Sequence, residues 1–420
     1  MKILSFYQPV FVSTEVVGGA SRLPIQMALN AGTRYVFNDE MANQIVTGRT
    51  GYGEWRCEKC GTINKSISTK CSQCSEIVPE MAPVPYEAMT DFWPFYIDVA
   101  KKQRPTNFRG KRVLFYRNRG IGDQLIASAL SRFFSVELKA KCYQLVDRIH
   151  ELLWWNNPFI YGQPIRFPLE LDGLIRGPKG HPFYDWFIPL ESISEFDSER
   201  EQSNVYDRMF ALAGFDPERI PVEYKRPFWA MNQKDLEKTR DYYTEGPYVA
   251  FQVRSTNIGR TIPDHVLDLV LSRLNEIGMP ILCMDELPLT PSVKKIVSSY
   301  KNARDISGQL KTSRAYGAVV SMAKLVVGPD SSAVHFAGVL DLPCIAFFSV
   351  LHPDSRVKYY KNCIPIFNTE KCPHAPCYNF MMELPYHKCP DGKEATYCKT
   401  FDSVTTDQID GAIQKLGITK

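Results

Sequence analysis

From residue 111 onward, short apolar runs alternate with amphipathic stretches. Val113–Tyr116, Ala140–Leu145, Val249–Val253, Ile281–Met284, Lys324–Val327 and Cys344–Phe348 are mostly apolar, as strands covered on both faces are. Pro164–Phe167 and Phe187–Pro189 continue the series, with Arg148–Trp155 between the strands. Helical spacing marks Gln124–Phe134, Asn204–Ala213, Asp264–Ile277, Pro291–Tyr300 and Thr312–Met322, and Gly214 and Gly278 stop two of them. Strand–helix–strand alternation predicts parallel sheets. The reading is a first α/β domain over 111–235, a second over 240–371, and a tail over 372–420 closed by a helix at Asp407–Leu416. Before residue 111 the pattern is weaker. Ile3–Tyr7 reads as a strand and Pro24–Ala31 as a short helix ended by Gly32, within an extension over 1–52 of no evident role. Residues 77–110 read as a linker, proline-rich and then aromatic at Phe92–Tyr96.

The composition is that of an ordinary globular chain: 420 residues, 44% hydrophobic and 23% charged, enough for two or three domains. A net charge of +4 does not argue for nucleic acid. No apolar run is long enough to span a bilayer, and the N-terminus makes a poor signal peptide. The expectation is a cytoplasmic protein, or one peripheral to the inner face of a membrane. Twelve cysteines, several in C-x-x-C pairs, point to metal binding in a reducing compartment.

The sharpest motif is in residues 53–76. Cys57 and Cys60, then Cys71 and Cys74, form two C-x-x-C pairs. Four thiolates at this spacing can close a tetrahedral structural zinc site, a small ribbon folded mainly by its metal. The run from Trp55 through Asn64 to Cys74 resembles the Ran-binding-protein type zinc finger, whose members bind single-stranded RNA or ubiquitin. Gly61-Thr62 replaces the Thr-Phe of ubiquitin binders, and no arginine pair lies between Asn64 and Cys71. A structural or docking ribbon is therefore read first, with a protein partner, and a single-stranded nucleic-acid reader second. In the tail, Cys372, Cys377, Cys389 and Cys398 are more loosely spaced, and a second metal site and reduced packing cysteines both remain open.

Three loops carry the candidate chemistry. Gly328 and Pro329 break the Lys324–Val327 run, and Asp330, Ser331 and Ser332 are helix-capping types whose following N–H groups attract phosphate. Arg117 to Asp123 forms a glycine-containing turn, where Gly120 and Gly122 permit close backbone approach and Asp123 opens a helix. Arg254 to Arg260 is a polar exit loop. Ligands of open α/β sheets sit beyond the carboxyl ends of strands. Arg254, Arg260, Asp285, Asp330 and Ser331 lie there in this reading, and two cations with a helix N-terminus suit a diphosphate.

Taken together, the two domains resemble the heptosyltransferase-like family of glycosyltransferases, which implies a GT-B architecture: two facing Rossmann-like domains with parallel sheets, plus the zinc ribbon. The loop ending in Gly122-Asp123 looks like the family's G-x-G-D signature, and Gly328 to Ala337 like its D-[ST]-G-x-x-H-x-A signature, with Ser332 where glycine is usual. Ser255-Thr256, Arg260 and Pro263 match the donor loop, with Arg260 where lysine is common. The resemblance implies an inverting transferase that moves a sugar from a nucleotide-diphosphate donor to an acceptor hydroxyl on a glycan or other molecule. Asp123 would be the general base. Ser255, Thr256, Arg260, Ser331 and Ser332 would hold the diphosphate, and Asp330 and His335 would place the sugar or brace the loop. Arg117, Arg119, Gly122 and Arg254 are further phosphate candidates. No catalytic metal is expected, so the zinc would be structural. The rival readings are a non-catalytic scaffold that has kept a transferase fold, and a nucleic-acid-binding or -modifying protein that uses the ribbon.

Overall fold

The computed structural model describes residues 107–420 apart from 118–119, 147–149, 163, 167–183, 191–202, 243–245, 379–388, 390–395 and 419–420, and before residue 107 the backbone of six short strands. The chain divides into two compact units, Met1–Pro105 and Thr106–Lys420.

In the first unit, β1 (Lys2–Ser5) pairs antiparallel with β4 (Arg34–Phe37). A second sheet runs β3-β2-β5-β6, from β2 (Val10–Glu15), β3 (Pro24–Leu29), β5 (Gly53–Arg56) and β6 (Ile63–Lys65). The helix expected at Pro24–Ala31 is thus a strand, in register with Val10–Glu15 along its whole length. Pairing with a neighbouring strand overrides a local propensity this weak. Strands β5 and β6 form an antiparallel hairpin with Trp55 opposite Asn64. Cys57, Cys60, Cys71 and Cys74 lie outside the described residues, as does the aromatic patch at 92–96.

The second unit holds two parallel sheets. The first has the order β10-β7-β8-β9, from β7 (Arg112–Tyr116), β8 (Lys141–Val146), β9 (Ile165–Arg166) and β10 (Trp186–Pro189). Its crossover elements include α1 (Ile121–Val136) and α2 (Glu151–Trp154), and α3 (Val205–Leu212) follows, started by the Asn204 side chain on Tyr206 N. Helix α4 (Gln233–Lys238) lies in the connection to the second half and opens on an Asn232–Asp235 capping box.

The second sheet has six strands in the order β13-β12-β11-β14-β15-β16, all parallel: β11 (Val249–Phe251), β12 (Ile281–Cys283), β13 (Ala303–Asp305), β14 (Leu325–Pro329), β15 (Cys344–Phe347) and β16 (Cys363–Ile366). Helices α5 (Asp264–Ile277), α6 (Pro291–Ser298), α7 (Ser313–Ser321) and α8 (Ser332–Leu340) connect them, and α9 (Thr406–Lys415) closes the chain. Counted from β11, the order is 3-2-1-4-5-6, the doubly wound arrangement whose ligand crevice opens between the first and fourth strands. Strands β11, β12, β14 and β15 are buried along their length, which explains their unbroken apolar runs.

One expectation at this crevice fails. Gly328 and Pro329 do not end the strand: β14 runs through both, with Pro329 paired to Phe347. Proline lacks a ladder donor, but the next residue's N–H makes the bond to β15: Asp330 N donates to Phe347 O at 3.0 Å. At Gly328 a Cβ would lie 3.2 Å from Gln252 Cβ and O, a tight fit that a neighbour would have to relieve.

Candidate active site

Strand β7 delivers Arg117 into the interior, 4% exposed. Its guanidinium donates to Leu190 O at 3.0 Å and to Asp123 Oδ1 at 2.5 Å. Asp123 sits in the first turn of α1, half-buried. The N-cap residue is Gly120, and no side chain caps the helix, so the Asp123 carboxylate is spent on Arg117 and not on helix capping. Gln124 Nε2 donates to Arg117 O at 2.5 Å, and Trp154 Nε1 donates to Gln124 Oε1 at 2.8 Å. A buried chain of hydrogen bonds thereby fixes the base of the loop. Arg117, expected as a phosphate contact, is buried and committed to these partners. Arg119 lies outside the described residues.

In the second half, the residue that organises the crevice is one the sequence reading passed over. Gln252 follows β11 and reaches across to α8. Its Nε2 donates to Ser331 Oγ and to Arg254 O, both at 2.9 Å, and its Oε1 accepts from Ala333 N at 3.0 Å and from Ser332 Oγ at 3.3 Å. Ser331 is the N-cap residue of α8, yet makes no side-chain capping bond. The expected cap is replaced by an amide from a neighbouring strand, and one N–H counted on for phosphate is already taken. Ser332 uses its hydroxyl within this bracket, which gives the departure from glycine a structural role.

Arg254 is also not free for a diphosphate. Its Nε donates to buried Asp285 at 2.8 Å, and its NH2 donates to Leu287 O at 2.7 Å and to Pro288 O at 2.8 Å. Asp285 in turn accepts the backbone N–H groups of Val253 and Arg254. Burial raises the Asp285 pKa to about 6 against the pull of Arg254. This pair shapes the loop, and among the described residues Arg260 is the remaining arginine of the exit loop. Arg260 NH1 donates to Asp330 O at 2.9 Å and lies 3.4 Å from Asp330 Oδ2. Burial works against the Arg260 charge, but Tyr378, Asp330 and Asp123 outweigh it, and its pKa lies above the usual arginine value. Among the described residues, Arg260 Nε, Asp330 Oδ1 and Ser255 Oγ are buried without hydrogen-bond partners. Ser255 is otherwise fixed through Thr261, whose Oγ1 accepts from Ser255 N at 3.2 Å and donates to Ser255 O at 3.0 Å. Thr256 is exposed at the loop tip.

The two halves meet at Gly122 and His335. A Cβ at residue 122 would lie 2.5 Å from His335 Cδ2, so only glycine fits the contact. His335 is buried, and its Nδ1 shares a 2.8 Å hydrogen bond with Tyr360 OH, which is bonded in turn to Tyr206 OH of the first half at 2.8 Å. Its Nε2 lies 3.9 Å from Asp330 Oδ1. Burial pushes the His335 pKa down to about 4, against the opposing pulls of Asp330 and Asp123. His335 is thus a neutral brace between the halves. Asp123 is near enough to act electrostatically on both Arg260 and His335. Tyr206 and Tyr360 were invisible to the sequence reading because neither lies in a recognisable motif.

Among the described residues, no group of three or more His, Cys, Asp or Glu side chains could hold a metal. His387 of the tail lies outside the described residues. Cys372, Cys377 and Cys398 are packed in the interior, and Cys398 Sγ accepts from Thr400 Oγ1 at 3.2 Å. Among the described residues, no helix is long and apolar enough to cross a membrane.

Comparison with known proteins agrees with this geometry. Residues 188–383 match glycosyltransferase family 9 (heptosyltransferase). The fold is similar to E. coli ADP-heptose LPS heptosyltransferase II, at 14% identity and a TM-score of 0.55, over 73% of this chain and 98% of that one. It is also similar to a family 9 glycosyl transferase from Veillonella parvula, at 13% identity and a TM-score of 0.55, over 75% and 99%. A third likeness is to the iron-containing dodecameric glycosyltransferase TibC of enterotoxigenic E. coli, at 16% identity and a TM-score of 0.53, over 74% and 77%. No curated protein matches the sequence. The match to the family 9 model and the GT-B-like fold with parallel sheets support a glycosyltransferase.

Proposed function

We propose that the protein is an inverting glycosyltransferase in which Asp123 is the general base and the crevice between β11 and β14 holds the donor diphosphate. The observation that carries this reading is the contact between the halves: Gly122, directly before Asp123, packs against the His335 ring, and Arg260 is near enough to act on both side chains. In the proposed step, Asp123 accepts the proton of an acceptor hydroxyl as that oxygen attacks the anomeric carbon and the nucleoside diphosphate leaves. One displacement inverts the anomeric centre and needs one base. Arg117 aims the carboxylate through its hydrogen bond. Arg260 stabilises the charge growing on the leaving diphosphate, with Ser255, Thr256 and the start of α8 beside it.

A solved relative with a TM-score of 0.52 is described as a heptosyltransferase in complex with ADP-D-beta-D-heptose, which supports an ADP-linked sugar as the first donor to test. The acceptor is proposed only as a hydroxyl on a glycan or comparable molecule. The four cysteines at 57, 60, 71 and 74 are proposed to hold a structural zinc in a docking ribbon. The antiparallel pairing of β5 with β6 around the first C-x-x-C pair supports that reading.

The decisive variant is Asp123→Ala. It should bind donor as the wild type does and lose transfer by at least about 100-fold, measured as product formation against donor binding by calorimetry. Unchanged turnover would remove Asp123 from the mechanism.

A further inference from the structure

The cysteine-rich tail has no part in the mechanism above, yet its backbone is tied to the donor loop. The N–H groups of Cys377 and Tyr378 both donate to Val350 O at 3.0 Å. The residue before Val350 is Ser349, whose Oγ donates to Gly259 O at 2.6 Å. Two consecutive residues after β15 therefore set the position of the tail and of the turn carrying Arg260. The result is a stacked contact: the Arg260 guanidinium carbon lies 5.8 Å from the centroid of the Tyr378 ring, within cation–π range. Asp330 grips the same guanidinium through its carbonyl and carboxylate oxygens.

We propose that Tyr378 is a donor-positioning residue, whose ring fixes the Arg260 guanidinium for the leaving diphosphate and screens it from water. The proposal rests on the donor-site reading given above. Its physical basis is that a long arginine side chain loses rotamer freedom when it binds an anion. A guanidinium already held between a carboxylate and an aromatic face has lost that freedom beforehand. Excluding water from one face also strengthens its attraction for phosphate oxygens. The tail thereby contributes to a site built otherwise from the strand-exit loops, and the ring rather than the hydroxyl is the working group.

Calorimetric titration of ADP, GDP and UDP selects the diphosphate the wild type binds best. With that probe, Tyr378→Ala should weaken binding about 3- to 30-fold and raise the donor KM in proportion, with kcat changed little. Tyr378→Phe should restore most of the binding. If Tyr378→Ala unfolds early on heating, Tyr378→Leu keeps the bulk in the tail and should weaken binding as much. In an Arg260→Ala background, the Tyr378→Ala effect should vanish. Wild-type affinity in Tyr378→Ala, equal losses in the Phe and Ala variants, or an undiminished effect without Arg260 would each overturn the assignment. A wild type that transfers sugar normally while these variants behave alike refutes Tyr378 alone, whereas a wild type that binds no nucleoside diphosphate or nucleotide sugar refutes the donor site itself.

Discussion

The two halves of the cleft differ in how their polar groups are paired. In the first half, Arg117, Asp123, Gln124 and Trp154 are linked in one chain of hydrogen bonds, with Arg117 also bonded to Leu190 O. In the second half, Gln252, Arg254 and Asp285 are equally well paired, but Ser255 Oγ, Arg260 Nε and Asp330 Oδ1 are buried without partners among the described residues. A buried polar atom without a partner costs about 1–3 kcal/mol, and these three belong to the loops proposed to hold the donor diphosphate. In the proposed mechanism the first half aims one carboxylate, and the second receives an anion.

The largest expected effects test that division directly. Asp123→Ala should abolish transfer and spare donor binding, while Arg260→Ala should weaken nucleoside-diphosphate binding by about 10- to 100-fold, the scale for losing a charge-assisted contact. If both variants lost binding equally, the halves would not have separate roles.

His335 gives the next test. Its pKa is about 4 in the folded protein against 6.5 for an ordinary histidine. Between those values the unfolded chain binds a proton that the folded chain does not. The stabilising contribution is therefore complete above pH 6.5 and is lost as pH falls toward 4, on the order of 3 kcal/mol in all. Urea unfolding at pH 7.5 and pH 5 should show this loss in the wild type and less of it in His335→Gln. An equal pH dependence in both proteins would place the sensitive group elsewhere.

Gly122→Ala should destabilise by about 1–3 kcal/mol, because its Cβ meets a buried ring already held by Tyr360. Adding His335→Ala should recover part of the loss in thermal unfolding, and strict additivity would deny the contact between the halves. The smallest effect is expected for Ser332→Gly, which removes one 3.3 Å bond to Gln252 that leaves the other three intact. A change below about 1 kcal/mol with donor binding retained is predicted by denaturant titration. A larger change would mean that the hydroxyl does more than steady Gln252.

Much of the second unit was legible in the sequence. The apolar runs that became β11, β12, β14 and β15 are continuous because both faces of that sheet are covered. Helix α5 matches its predicted span, with Gly278 at a positive φ of 82° ending it. The glycine turn before Asp123 and the start of α8 were located by residue type alone. The helix predicted at Pro24–Ala31 was misread because only pairing with Val10–Glu15 makes that segment a strand.

Residue types and their spacing determined the strands, the helices, the loops that end at the cleft and the carboxylate of Asp123, since each depends on neighbours a few positions away. Which cation is available was decided by the tertiary structure. Arg117 and Arg254 look as suitable as Arg260 along the chain, but Asp123 and Asp285 claim them once the strands align. Gln252 and Tyr378 acquire their places the same way, from partners about 80 and 118 positions distant, whose approach depends on sheet order. A side chain's role at this cleft follows from what the fold sets opposite it, and that pairing is non-local.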